Sequence, residues 1–186
     1  MFGDEAALSQ KLLETTDALK QLSLEHWYHY ELFTWQWWFK FTYLIIPILL
    51  FIRYLDRKRS FEILSYGLLI SLISTIIDII GVNFLWWHYP IRFLPFGFFV
   101  VHDLVFIPIV AMLIFQRYGG WKSFCIVNLL LAAVGAYIEE PLAAWIGIYK
   151  PLQWKHTYSF FVFFGMTVWS RFIIVKLRAA STKAAE

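Results

Sequence analysis

The chain has 186 residues, of which 60% are hydrophobic, 21% aromatic and only 16% charged, and its formal net charge is +3. An average soluble domain carries roughly 25% charged residues, and one of this length has too little interior to hide so much apolar surface. The composition therefore indicates an integral membrane protein. It excludes a disordered chain, a nucleic-acid binder with a basic face and a disulfide scaffold, since Cys125 is the single cysteine.

Residues 1–24 lack a basic start and an apolar run, so they do not read as a signal peptide. Leu8, Leu12, Leu19 and Leu22 recur at helical spacing with Glu14, Asp17 and Lys20 between them, which predicts an external amphipathic helix on the outer surface or against the bundle. An aromatic run follows, Trp27, Tyr28, Tyr30, Phe33, Trp35, Trp37 and Trp38. Such rings favour the headgroup region, where one edge is wet and the body apolar. His26 and His29, flanked by Glu25 and Glu31, share a face if the segment is helical. They are weak candidates for a divalent metal. No other metal site is expected.

Five later stretches approach the roughly 20 apolar residues that a membrane-crossing helix needs. They run about Trp35 to Arg53, Phe61 to Asn83, Phe96 to Gln116, Lys122 to Trp145 and Thr157 to Lys176. The expected fold class is all-α, a polytopic bundle of five transmembrane helices with an N-terminal amphipathic helix. Residues 1–34 form the external segment, 35–178 the five-helix domain and 179–186 a cytoplasmic tail. Between the second and third spans, Phe84, Trp86, Trp87 and Tyr89, with Pro90 and Pro95, predict a loop lying in the outer interface.

Lysine and arginine in the connecting segments set the direction. Arg53, Arg57, Lys58, Arg59, Arg117, Lys122, Arg171, Lys176, Arg178 and Lys183 fall on one side, ten in all, against six on the other: Lys11, Lys20, Lys40, Arg92, Lys150 and Lys155. The N-terminus is therefore expected outside and the C-terminus in the cytoplasm, in a multi-pass plasma-membrane protein. Arg171, Lys176 and Arg178 are expected to snorkel at the cytoplasmic face and contact anionic lipid.

Charge inside a bilayer is expensive and marks a functional site or a buried pair. With this topology Asp78, His102, Asp103, Glu139, Glu140 and Lys40 all fall in the outer half of the membrane. Gly67, Ser71, Ser74, Thr75 and Asp78 lie on one stripe of the second span, and Asn128, Ala132, Gly135 and Glu139 on one of the fourth. Glu140 has its own stripe with Ala133 and Ala136. Small residues let helices approach and polar ones bond across the contact, so these stripes face the interior, as packing seams or as a site.

Pro47, Pro108 and Pro141 each remove an intrahelical hydrogen bond. In a regular helix Pro108 frees the carbonyl of Leu104, beside Asp103, and Pro141 that of Tyr137, close to Glu139. Asp78, Asp103 and Glu139 are expected to approach one another, with His102 or Lys40 as a neutralising partner. No phosphate-binding glycine loop, zinc-protease helix motif, nucleophile elbow or cysteine pair occurs, which argues against a nucleotide-driven machine.

The stretch from Trp86 to Tyr118, WWHYPIRFLPFGFFVVHDLVFIPIVAMLIFQRY, resembles an uncharacterised family of multi-span membrane proteins from spore-forming Firmicutes. The resemblance lies in the aromatic-Tyr-Pro start, the Pro and Phe spacing, Asp103, Pro108 and the Met112 to Gln116 end. It implies a membrane location and a helix count, not a chemistry. Ile138-Glu139-Glu140 is similar to the acidic signature of small membrane carotenoid cyclases, whose remaining pattern is missing here.

Three functions fit these residues. The first is an outward-facing acidic intramembrane site that binds, senses or passes a proton, cation or small solute. The second is a membrane enzyme on a lipid-like or isoprenoid substrate, with a carboxyl as general acid. The third is a structural or partner-binding subunit docked through its N-terminal helix. Cofactor and protein partner are not legible.

Overall fold

A computed structural model describes residues 2–95 and 99–184, and the side chains of residues 4–95 and 99–181. The expected start of the third span at Phe96 and the Lys183 side chain lie outside them. The described fold is all-α apart from two short paired strands. In chain order it comprises α1 (Phe2–His26), a π turn (Trp27–Glu31), α2 (Trp35–Tyr54), a 3-10 turn (Arg57–Arg59) and α3 (Ser60–Asn83). Then come β1 (Trp87–His88), a second π turn (His102–Phe106) that leads into α4 (Ile107–Arg117), and α5 (Trp121–Val134). A third π turn (Gly135–Glu139), α6 (Glu140–Trp145), β2 (Lys150–Pro151) and α7 (His156–Ala184) complete it.

Four helical runs are long and apolar enough to cross a membrane: Trp35–Tyr54, Arg57–Asn83, Trp121–Trp145 and His156–Ser181. The remaining rod, residues 100–117, is helical throughout but carries His102 and Asp103 in its π turn. Contacts at the rod ends show that the five rods alternate in direction. At one end Gln116 donates to the Tyr54 carbonyl at 3.0 Å and accepts from the Asp56 amide at 3.1 Å, and Arg178 pairs with Glu62 at 3.1 Å. At the other end β1 pairs antiparallel with β2, Trp87 opposite Pro151 and His88 opposite Lys150. The Trp86 carbonyl there accepts from the amides of Leu152 and Gln153.

The core splits along the same axis. Toward the first end, Tyr66 stacks on Phe115 at 4.3 Å and donates to the Thr167 carbonyl, with Phe124 and Ile70 around it. Toward the second, Trp87, Tyr89, Phe99, Ile148 and Tyr149 form a separate aromatic cluster beneath the paired loops.

The expectation of an interfacial loop from Phe84 to Tyr89 is therefore corrected in part. Phe84 is exposed, but Trp87 and Tyr89 are buried, because their N–H and O–H find an acceptor inside.

Arg171 is also corrected. It is buried, donates to the carbonyls of Tyr118 and Gly119, and lies 4.2 Å over the Phe124 ring. It closes the α4–α5 corner instead of snorkelling. Helix ends leave carbonyls without partners, and here a guanidinium supplies the donors.

α1 extends from the bundle with its leucines exposed, Leu8, Leu12, Leu19 and Leu22 among them. Near its C-terminal end Arg92 donates to the Ser23 carbonyl at 3.1 Å.

Candidate functional site

The site rests on two π turns. Each precedes a proline by the same interval: His102–Phe106 before Pro108, Gly135–Glu139 before Pro141. A π turn bonds i to i+5, and the Ile107 amide indeed donates to the His102 carbonyl, as the Glu140 amide does to Gly135. In that register the N–H that Pro108 lacks would have served the Asp103 carbonyl, not that of Leu104. The hydroxyls of Ser74 and Ser71 donate to the Asp103 carbonyl instead, at 3.1 and 3.4 Å. The small-polar stripe of α3 thus repairs a backbone defect in the neighbouring rod. The defect turns His102 and Asp103 toward the bundle axis.

The two turns and α3 enclose a cavity near the paired-loop end. Asp78, His102, Asp103, Glu139 and Glu140 line it, with Trp87, Tyr89, Phe99, Tyr149 and Trp154 among its aromatic walls. Its volume is about 70 Å³, above the ~15 Å³ that a single water needs.

His102 bridges two carboxylates, with Nδ1 3.5 Å from Asp103 Oδ1 and Nε2 3.7 Å from Glu139 Oε1. Its ring lies parallel to those of Phe99 at 5.2 Å and Tyr43 at 6.4 Å. Asp103 is 5% exposed, and its Oδ2 has no hydrogen-bond partner. The buried Tyr43 hydroxyl beside Glu139 also lacks a well-aligned partner.

The other carboxylates are occupied. Asp78 Oδ1 accepts from Trp87 Nε1 at 2.7 Å and Tyr89 OH at 2.6 Å, and its Oδ2 from the Phe99 amide at 2.7 Å. Burial, then the nearby Asp78 carboxylate, push the Tyr89 phenol well above its ordinary pKa, so it stays a donor. Glu140 Oε2 lies 2.7 Å from His156 Nδ1. Counted by residue, four carboxyls meet two imidazoles here.

Of the two partners expected, His102 lies between the carboxylates, while Lys40 finds other contacts. It is fully buried, donates to the Ile91 carbonyl and lies 4.7 Å over the Phe99 ring. It opens on a second cavity of about 120 Å³ that Glu139 and Phe99 also line. The loop before α4 supplies the Ile91 carbonyl as its acceptor.

The histidines of the external segment separate. His26 Nδ1 approaches Glu31 Oε1 at 2.8 Å, while His29 packs edge-on against Tyr28. The widened π turn removes the shared face that a regular helix would give them. Among the described residues no group of three or more His, Cys, Asp or Glu is placed to hold a metal.

Beside them, Glu31 takes the Arg92 guanidinium at 2.6 Å and also accepts from the Arg92 amide. Burial alone would raise the Glu31 pKa. The hydrogen bonds from Arg92 and His26 outweigh it and hold the carboxyl below its usual 4.5.

Tyr43, His156 and Glu31 were not singled out from the sequence as site residues. For Tyr43 the available signal was a hydroxyl at helical spacing from Phe39 and Pro47. For His156, only its place just before the last span was visible. No family model, no curated protein and no solved structure matches this chain.

Proposed function

We propose that the protein crosses the plasma membrane five times, with its N-terminus outside. In this reading it holds, near the outer face, an acidic intramembrane site that binds a proton or small cation and senses or passes it. Residues 100–117 rise about 27 Å at ~1.5 Å per residue, close to the ~30 Å hydrocarbon core. The alternation of the rods agrees with the basic-residue split. One observation carries the functional reading: a buried histidine between two carboxylates, one of which keeps a free oxygen beside a water-sized cavity. Intramembrane ionisable groups with an unfilled acceptor suit a cation or proton far better than they suit packing.

The test is reconstitution of the full chain in liposomes loaded with a pH-sensitive dye, with thermal stability measured against pH and methylammonium. Wild type is expected to show a proton leak or a cation-dependent stabilisation, and Asp103→Asn to reduce it by about tenfold, as loss of one charged hydrogen bond implies. Wild-type liposomes indistinguishable from empty ones, together with stability indifferent to pH and methylammonium, would overturn the reading.

A second reading is an enzyme on a lipid-like substrate. It draws support from an apolar groove whose floor includes Glu139 and His102, two groups able to exchange a proton with a bound molecule. Lipid profiling of cells lacking the protein separates the two.

A further inference from the structure

The acidic cavity has a second, apolar neighbour. α4 and α5 meet only sparsely, and a groove with about 250 Å³ of room for water centres runs between them and α7. Ile107, Val110, Ala111 and Ile114 present one face of α4 to it at helical spacing. The opposite wall includes Ala132 and Gly135, and the missing side chain of Gly135 lets the Phe163 ring pack close to it. An apolar cavity of about 150 Å³ holds one benzene, so this groove accommodates roughly ten carbons. Val134 on its rim is 46% exposed, on a surface that a bilayer would cover.

The groove and the acidic cavity share His102, Ile107, Glu139, Phe163 and Met166. A molecule lying in the groove therefore meets Glu139 and His102 at one end, where the groove adjoins the acidic cavity that Asp103 lines, and the bilayer at the other. At the polar end Asp103 Oδ2 is an acceptor with no donor. Four carboxyls against two imidazoles favour a positive head.

We propose that the site takes a single-chain amphiphile with a protonated amine head. The head binds at Asp103, and the tail lies in the groove between α4, α5 and α7. This rests on the cation-site reading, because the head uses the same carboxyls.

The probe is dodecylamine carrying a diazirine at its tail carbon, photolysed with the full chain in phosphatidylcholine nanodiscs and mapped by peptide mass spectrometry. Labelling is expected at α4 and α5 residues of the groove. Excess plain dodecylamine should reduce it about tenfold and dodecanol should not, the difference being one charged hydrogen bond. Asp103→Asn should lower labelling by a similar factor. Val134→Trp, a change on the lipid side that leaves the acidic cavity untouched, should lower it too.

Labelling scattered over the lipid-facing surface, equal competition by dodecanol, or unchanged labelling in both variants would overturn the proposal. If methylammonium still stabilises wild type but not Asp103→Asn while the groove goes unlabelled, the amphiphile is wrong and the cation site stands. If methylammonium and pH have no effect either, both fall.

Discussion

Both oxygens of Asp78 are taken by Trp87, Tyr89 and the Phe99 amide, whereas Asp103 keeps one oxygen free. The same residue type on one cavity wall thus has two tasks. Asp78 ties the loop to α3, and its removal orphans three buried donors. Asp78→Ala is expected to cost about 3 kcal/mol or more, seen as loss of folded protein in detergent thermal melts. Asp103→Asn keeps the oxygen beside His102 and orphans no direct donor, so the melt should stay within about 1 kcal/mol of wild type while the proton or cation response falls about tenfold. If instead Asp103→Asn unfolds the protein and Asp78→Ala does not, the two roles are reversed. Glycines discriminate in the same way. A Cβ on Gly81 would sit 2.0 Å from the rigid Trp87 ring, whereas one on Gly67 meets the flexible end of Met112 at 2.3 Å. Gly81→Ala should therefore destabilise more than Gly67→Ala, and should also displace the indole from Asp78.

Among the elements, the two proline-linked π turns aim the site. Pro108→Ala restores an N–H and lets the turn tighten toward regular α-helix. That would swing His102 and Asp103 by roughly 100°, the step of one residue. The protein should fold, and the cation response should fall as it does in Asp103→Asn. An unchanged response would show that the turn does not set the geometry. The first π turn carries a pH dependence. Glu31 is held below its usual pKa, so it contributes stability above about pH 4.5 that is lost as pH falls through the folded value. Acidification should raise hydrogen exchange across residues 23–34 while α3 stays protected, and Arg92→Gln should abolish that difference.

The sequence carries the helices well, because each is a long apolar run with small and polar residues at helical spacing. It also places Asp103 and Glu139 at a common depth, and both lie within 3.7 Å of His102. It does not carry the one-residue shift of a π turn, which changes which carbonyl a proline frees. Nor does it carry partners that only a folded loop brings together, such as Glu31 with Arg92 or Lys40 with Ile91. Arg171 was misplaced for the same reason: its carbonyl partners lie 53 and 52 residues away in the chain.

Over the whole molecule, the two ends differ in kind. One gathers Arg57, Lys58, Arg59 and Arg117 around the α2–α3 and α4–α5 corners. The other gathers aromatic loops, the acidic cavity and the Glu31–Arg92 clasp. The basic end is expected to face the cytoplasm. A reporter fused after Glu186 should be active only in its cytoplasmic form, and activity of an export-dependent reporter there would reverse the orientation. Because the acid-rich end would then face outward, external rather than internal pH should govern the liposome signal.

The paired loops have a temporal consequence. Two-residue strands are weak alone, but here the Trp86 carbonyl holds the Leu152 and Gln153 amides, and Trp86 and Trp87 pack against Trp154 at 5.1 and 4.9 Å. If exchange with the aqueous phase passes between these loops, it needs their concerted opening, a motion of microseconds to milliseconds rather than a rotamer flip. The protein would then act as a low-pass filter, following sustained external conditions and ignoring brief fluctuations. In a stopped-flow pH jump we expect a lag before the response, shortened by Trp154→Ala; a response as fast as mixing in wild type would contradict this.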